Sequence, residues 1–146
     1  MSGDALASAF QDLIASKVDQ DYILRGTTGT RVYLDKVPGT PSYPYVYVLT
    51  NFPTVAERSA ARSVQSRALR SRCIVAGLTG ASVRIIAQKL TNCLEGKRPV
   101  VAGWTLGAIE SVPNEQQLLP DNDVTINGQH PLYQPFDWVL TGSETD

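Results

Sequence analysis

The sequence predicts an α+β protein, a mixed or antiparallel β-sheet of about four to five strands packed by two helices. Three observations carry this expectation. Two segments repeat apolar residues at helical spacing, several others are rich in aromatic and β-branched residues, and the strand-like segments cluster instead of alternating with helices. The 146 residues fit a single domain spanning 1–146, long enough to bury roughly two-thirds of its unfolded surface without metal or disulfide support. At 42% hydrophobic and 18% charged, the composition is that of a globular chain.

The elements follow in order. Asp4 to Val18 reads as an amphipathic helix with Leu6, Ala9, Phe10, Leu13 and Ile14 on one stripe and Ser2 or Asp4 as its cap. Arg31 to Val37 forms a short strand after the glycine-containing lead-in at Gly26 and Gly29, and "PGTPSYP" a loop. Tyr43 to Asn51 is a strand dominated by Tyr and Val, ended by Pro53. Thr54 to Val64 is polar and small, a loop or brief helical turn. Gln65 to Gly77 is a long strand whose alternation sets Leu69, Cys73 and Val75 against Arg70 and Arg72 on opposite faces.

A second helix runs from Ala81 to Leu94, capped by Thr79. Val83, Ile86, Ala87, Leu90 and Leu94 form its buried stripe, with Gly96 and Pro99 as stop signals. "VVAGWTLGAIESV" reads as a strand in which Gly103 and Gly107 permit a bulge. Residues 113–131 form a long acidic loop. Leu132, Phe136, Trp138 and Leu140 alternate inward along a last strand, and 142–146 is expected to fray.

Charge is distributed unevenly. From Glu57 to Arg98 nine Lys or Arg stand against two acids, a local balance of +7. From Val100 to Asp146 there is no Lys or Arg, and seven acids give −7. Three uses of this polarity are open: pairing of acidic and basic strands within one subunit, head-to-tail contacts between subunits, or nucleic-acid binding by the Arg58–Arg72 cluster. Nucleic-acid binding is the least favoured, because the aromatics are expected in core strands and the sequence pI is 5.8. For interfaces the candidate residues are Arg58, Arg62, Arg67, Arg70 and Arg72 against Asp121, Asp123 and Asp137.

No catalytic reading emerges. The only histidine, His130, lies in a loop without a nucleophile signature. "GTTGT" and "EGKRP" lack the spacing of a phosphate loop. "DNDV" lacks the remaining ligands of a calcium loop, so neither metal nor cofactor is expected. Cys73 and Cys93 read as reduced, buried thiols. The start lacks a basic region followed by a long apolar core, which predicts no signal peptide and a cytosol-like compartment.

Arg72 to Gly103, "RCIVAGLTGASVRIIAQKLTNCLEGKRPVVAG", resembles the middle of tail terminator (tail completion) proteins of long-tailed bacteriophages. The shared features are a strand ending in Val75-Ala76-Gly77-Leu78-Thr79, a helix of small and apolar residues from Ala81 to Leu94, and the stop Gly96-Lys97-Arg98-Pro99. "VPGTPSYPYVYVLTNFP" is similar to the family's Pro-Tyr-Val strand. "LLPDNDVTINGQHPLYQPFDWVLTG" is similar to its acidic loop and closing strand. The likeness spans roughly residues 4–142. It implies a non-enzymatic virion protein that forms a ring, typically a hexamer, capping the tail tube, stopping its polymerisation and meeting the head-tail connector. It further implies assembly in the host cytoplasm, residence at the head-proximal end of the tail, and at most passage of DNA through the ring lumen. A neck or head-closure protein is the alternative of the same kind.

Overall fold

The computed structural model describes residues 2–15, 31–34, 39, 43–58, 64–114 and 117–144. Among the described residues, two helices lie on one face of a single mixed sheet, an α+β arrangement. Helix α1 is Ser2–Ala15 and α2 is Gly80–Leu94; the strands are β1 Arg31–Leu34, β2 Tyr45–Thr50, β3 Thr54–Arg58, β4 Val64–Gly77, β5 Trp104–Leu106, β6 Glu110–Val112, β7 Leu119–Pro120 and β8 Leu132–Glu144. The main path runs β1-β2-β4-β8-β5, with β3 beside β4 and both β6 and β7 beside β8. Among the described strands only β1–β2 is parallel.

Two long strands organise everything else. β4 and β8 pair antiparallel from Arg67↔Gly142 to Gly77↔Leu132. Each carries an interrupted partner on its free edge. β2 and β3 lie end to end along β4, so Thr54 to Arg58 is strand and not the expected loop or turn. Between Thr50↔Ser71 and Thr54↔Ala68, three residues of one strand face two of the other, a bulge that accommodates Pro53. Proline cannot donate to the ladder, but the Asn51 amide bonds the Arg70 carbonyl at 3.0 Å, and pairing resumes beyond it.

The far edge of β8 behaves likewise. The expected single strand "VVAGWTLGAIESV" is two, β5 and β6, separated by a second bulge over residues 107–109. The bulge has a structural use: Ile109 turns into the core, while its amide bonds the Lys97 carbonyl at 2.8 Å and its carbonyl accepts from the Gly96 amide at 2.9 Å. The edge strand thereby satisfies backbone groups at the end of α2, where Gly96 holds φ +77°. Residues 113–131 are also less open than expected. β7 pairs with Leu132 and Tyr133, and Ile126↔Gln129 closes a tight turn with both Asn127 and Gly128 at positive φ. Residues 142–144 are not frayed, since β5 pairs them through Trp104↔Glu144.

α2 begins where Thr79 accepts the Ser82 amide at 3.1 Å, the expected N-cap. Its Val83, Ile86, Leu90, Cys93 and Leu94 are buried. α1 starts at Ser2, which puts Asp4 inside the first turn, where a negative charge suits the helix dipole. It contributes Leu6 and Phe10 to the core; the expected stripe members Leu13 and Ile14 have side chains outside the described residues. The helices meet Val46, Val48, Leu69, Cys73, Val75, Trp138 and Leu140 from the sheet. Cys73 and Cys93 are buried thiols not joined in a disulfide, and burial pushes the Cys73 thiol up to about 12.

Candidate assembly surface

Alternation along the central strands gives the sheet two unlike faces. On β2, Val46 and Val48 enter the core, while Tyr45, Tyr47 and Leu49 point away from the helices and are half-buried. Register extends this outer face across the sheet: Tyr33 lies beside Tyr47, Tyr47 beside Ile74, Ile74 beside Pro135, Tyr45 beside Ala76, and Ala76 beside Tyr133. Five of the six tyrosines in the chain gather here, counting Tyr43 just before β2. The aromatics were expected in the core. That holds for Phe10, Trp104 and Trp138, but the tyrosines are sorted to the opposite face. A buried phenol needs a partner that the apolar helix layer does not supply, whereas valine packs there at no polar cost.

The tyrosines form a cluster and a groove. The Tyr33 and Tyr45 rings stand 5.4 Å apart and the Tyr43 and Tyr45 rings 5.2 Å, both tilted. Tyr43, Tyr45 and Tyr47, with Ile74, Ala76, Pro131 and Tyr133, line an open concavity of about 300 Å³, and Asp121 is the one carboxylate on its rim. Partial burial first, then the neighbouring Tyr43 hydroxyl and the Asp121 carboxylate, push the Tyr45 phenol up to about 12. The same two effects, burial first and Asp121 second, raise Tyr43. Both phenols are therefore neutral donors at physiological pH. The surface combines flat aromatic rings, hydrogen-bond donors and a single negative charge.

The arginines and acids singled out in the sequence are distributed as follows. Arg70 and Arg72 share the outer face, as the alternation predicts, and Arg70 is exposed. Arg72 is paired inside the subunit. Its Nε donates to Asp137 Oδ1 at 2.8 Å and its Nη2 to Oδ2 at 3.1 Å, across the β4–β8 register. Asn114 adds a bond to the same carboxylate at 3.3 Å. Hydrogen bonding from Arg72 holds the Asp137 carboxyl below its ordinary value, against the opposing effect of partial burial. Arg67 has the opposite parity on β4 and faces away from Arg70 and Arg72. Arg58 closes β3, and Arg62 lies outside the described residues. Asp123 is exposed in the turn beyond Asp121, and its amide bonds Asp121 Oδ1 at 3.2 Å. His130 is exposed, its Nδ1 2.7 Å from the Val124 carbonyl oxygen.

Folding therefore rearranges the charge polarity of the sequence. The basic β4 and acidic β8 become neighbours, and their central charged pair closes within one chain. What stays separated is a basic patch on α2 and the segment after it, and an acidic rim on the groove. Arg84, Lys97 and Arg98 are exposed along α2 and just after it, and the neighbouring acid Glu95 accepts the Ser111 amide at 3.1 Å. The loop leaving α2 carries Val100, which is 97% exposed. Sequence reasoning passed over both the tyrosine face and this loop. The signal for the first was present in the strict Tyr-Val-Tyr-Val alternation of "YVYV".

No family model matches the sequence, and no curated protein does. Solved structures do match in fold. One is a chain from a structure described as the virion of a native gene transfer agent particle, with a TM-score of 0.62 and 14% identity over 97% of this chain and 98% of that one. A second, known by a sequence label alone, has a TM-score of 0.55 at 18% identity over 96% of each chain. The likeness is one of fold, and it runs end to end in both chains at nearly equal length.

Proposed function

We propose that this chain is a virion structural protein, a tail terminator that assembles into a ring at the head-proximal end of a tail tube. There it stops tube polymerisation and presents a surface to the head-tail connector. The observation that carries the reading is the end-to-end match in fold to a chain of a gene transfer agent virion. The two-faced sheet supports it physically. A half-exposed field of tyrosines is the composition favoured at protein interfaces, where rigid rings bury large areas at low entropic cost. A ring needs two different surfaces per subunit, and the basic patch of α2 with its following loop and the acid-rimmed tyrosine face are such a pair.

The test is assembly on tubes. Purified protein added to polymerising tail-tube subunits is expected to cap one end and fix tube length, visible by negative-stain electron microscopy with gold-tagged protein. Label along the tube wall, or tubes that elongate unchanged, refutes the terminator reading. Label that appears only when the portal-side connector is supplied points to the neck or head-closure role.

A further inference from the structure

The tyrosine groove has an acidic rim and no basic lining residue, while the most exposed apolar side chain of the described residues sits at the tip of a basic loop. The two cannot meet within one subunit. α2 packs on the core face of β4 and β8, and its C-terminal loop leaves that layer, whereas the groove opens on the opposite face of the same strands. Resting on the ring reading above, we propose that the groove formed by Tyr43, Tyr45, Tyr47, Ile74 and Tyr133 receives the Lys97–Val100 loop of a second copy of this chain.

Three physical features converge on that occupant. The charges complement each other: Lys97 and Arg98 approach a rim whose fixed charge is Asp121, and the raised phenols keep the ring surfaces neutral so that apolar contact is retained. The loop has the right backbone. Arg98 precedes Pro99, which biases it to an extended conformation, and extended proline-containing segments dock into aromatic-lined grooves with little further loss of chain entropy. An arginine can also lie flat on a tyrosine ring. The loop is also firmly held at its base. The Lys97 carbonyl and Gly96 amide are both bonded to Ile109, so Val100 projects from an anchored position. Insertion of loop into groove uses a different patch on each partner. It is a heterologous contact, which propagates and closes into a ring when the rotation per subunit allows. It serves as the anchor of a wider interface, since one loop does not supply the roughly 1,000 Å² that a stable association needs.

Disulfide trapping in the full chain tests the contact. Cys73 and Cys93 are buried and stay silent under mild oxidation. A chain carrying both Val100→Cys and Tyr133→Cys is expected to give a ladder of covalent oligomers ending in a closed species. Each single variant is expected to stay monomeric on a non-reducing gel. Adding Asp121→Lys to the double-cysteine chain should abolish the ladder, and further adding Lys97→Glu with Arg98→Glu should restore it, circular dichroism confirming that every variant folds. A double-cysteine chain that elutes as an oligomer yet yields no ladder overturns this contact and leaves the ring reading intact. A chain that neither oligomerises nor cross-links, alone or on tail tubes, overturns both.

Discussion

Truncating two adjacent residues of β2 should give stability losses in the reverse order of their size. Val48 is fully buried against the helices, and Tyr47 is half-buried on the outer face. Val48→Ala removes two methyl groups, about 1.6 kcal/mol at ~0.8 kcal/mol per buried carbon, and leaves a cavity in a close-packed layer, bringing the loss to about 2–3 kcal/mol. Tyr47→Ala removes a far larger side chain, but its contacts are cross-strand pairs with Tyr33 and Ile74, worth about 0.2–1 kcal/mol each, and part of its ring is already in water. The expected loss is about 1 kcal/mol or less. Urea unfolding followed by far-UV circular dichroism, at protein concentrations low enough for the midpoint to be concentration-independent, reads the difference directly. With a slope of ~2 kcal/mol/M, the Val48→Ala midpoint should fall by about 1 M and that of Tyr47→Ala by less than half as much. Equal losses, or a larger loss for Tyr47→Ala, would show that the tyrosine face is part of the folding core and would remove the physical basis for reading it as an assembly surface.

Two further outcomes follow from the sheet. Gly142→Ala places a Cβ in overlap with Leu106 Cδ2 and 3.1 Å from the Thr105 carbonyl oxygen. Leu106 is buried and the carbonyl is backbone, so the β5–β8 seam must open at a cost of about 1–3 kcal/mol, or roughly 2–12 °C in the thermal midpoint; an unchanged midpoint contradicts the tight seam. The Arg72–Asp137 pair should make a pH-dependent contribution. Because the folded carboxyl titrates below its ordinary value near 3.8, the contribution is complete above that value and is lost as pH falls through the depressed folded value. Arg72 is 42% exposed and Asp137 22%, and solvent screening limits the effect to about 1 kcal/mol or less. The stability gap between the native chain and Asp137→Asn should therefore be constant from pH 7 to 5 and close below pH ~4; a gap that does not change with acidification means that the pair contributes nothing.

Much of the architecture could be read along the chain because it is governed by local rules. The α2 cap at Thr79 and stop at Gly96 depend on side chain-to-backbone and φ requirements that involve only neighbours. The parity of Leu69, Cys73 and Val75 against Arg70 and Arg72 follows from strand geometry alone. Interruptions were harder. Pro53 and Gly107 mark breaks in the pattern, but a break looks the same in sequence whether the chain leaves the sheet or bulges and rejoins it. In both cases a long neighbouring strand, β4 or β8, offers unpaired backbone groups just beyond the break, and pairing with them outweighs the weak local preference. The acidic loop gains a strand for the same reason, since β7 exists only because β8 is there to pair with it.

By itself the sequence determined which residues could be buried, where α2 begins and ends, and that opposite charges occupy different stretches of the chain. The tertiary structure alone decided which charges remain separated. Antiparallel pairing of β4 with β8 brings Arg72 within 2.8 Å of Asp137 and consumes the polarity that looked most conspicuous in one dimension. The structure also decided which face of each alternating strand meets the helices, and so that the tyrosines, equally compatible with a core by hydrophobicity, form a surface. Alternation specifies two faces but not which one is covered. That choice depends on where α1 and α2 pack, and the packing is set by contacts between residues far apart in the chain.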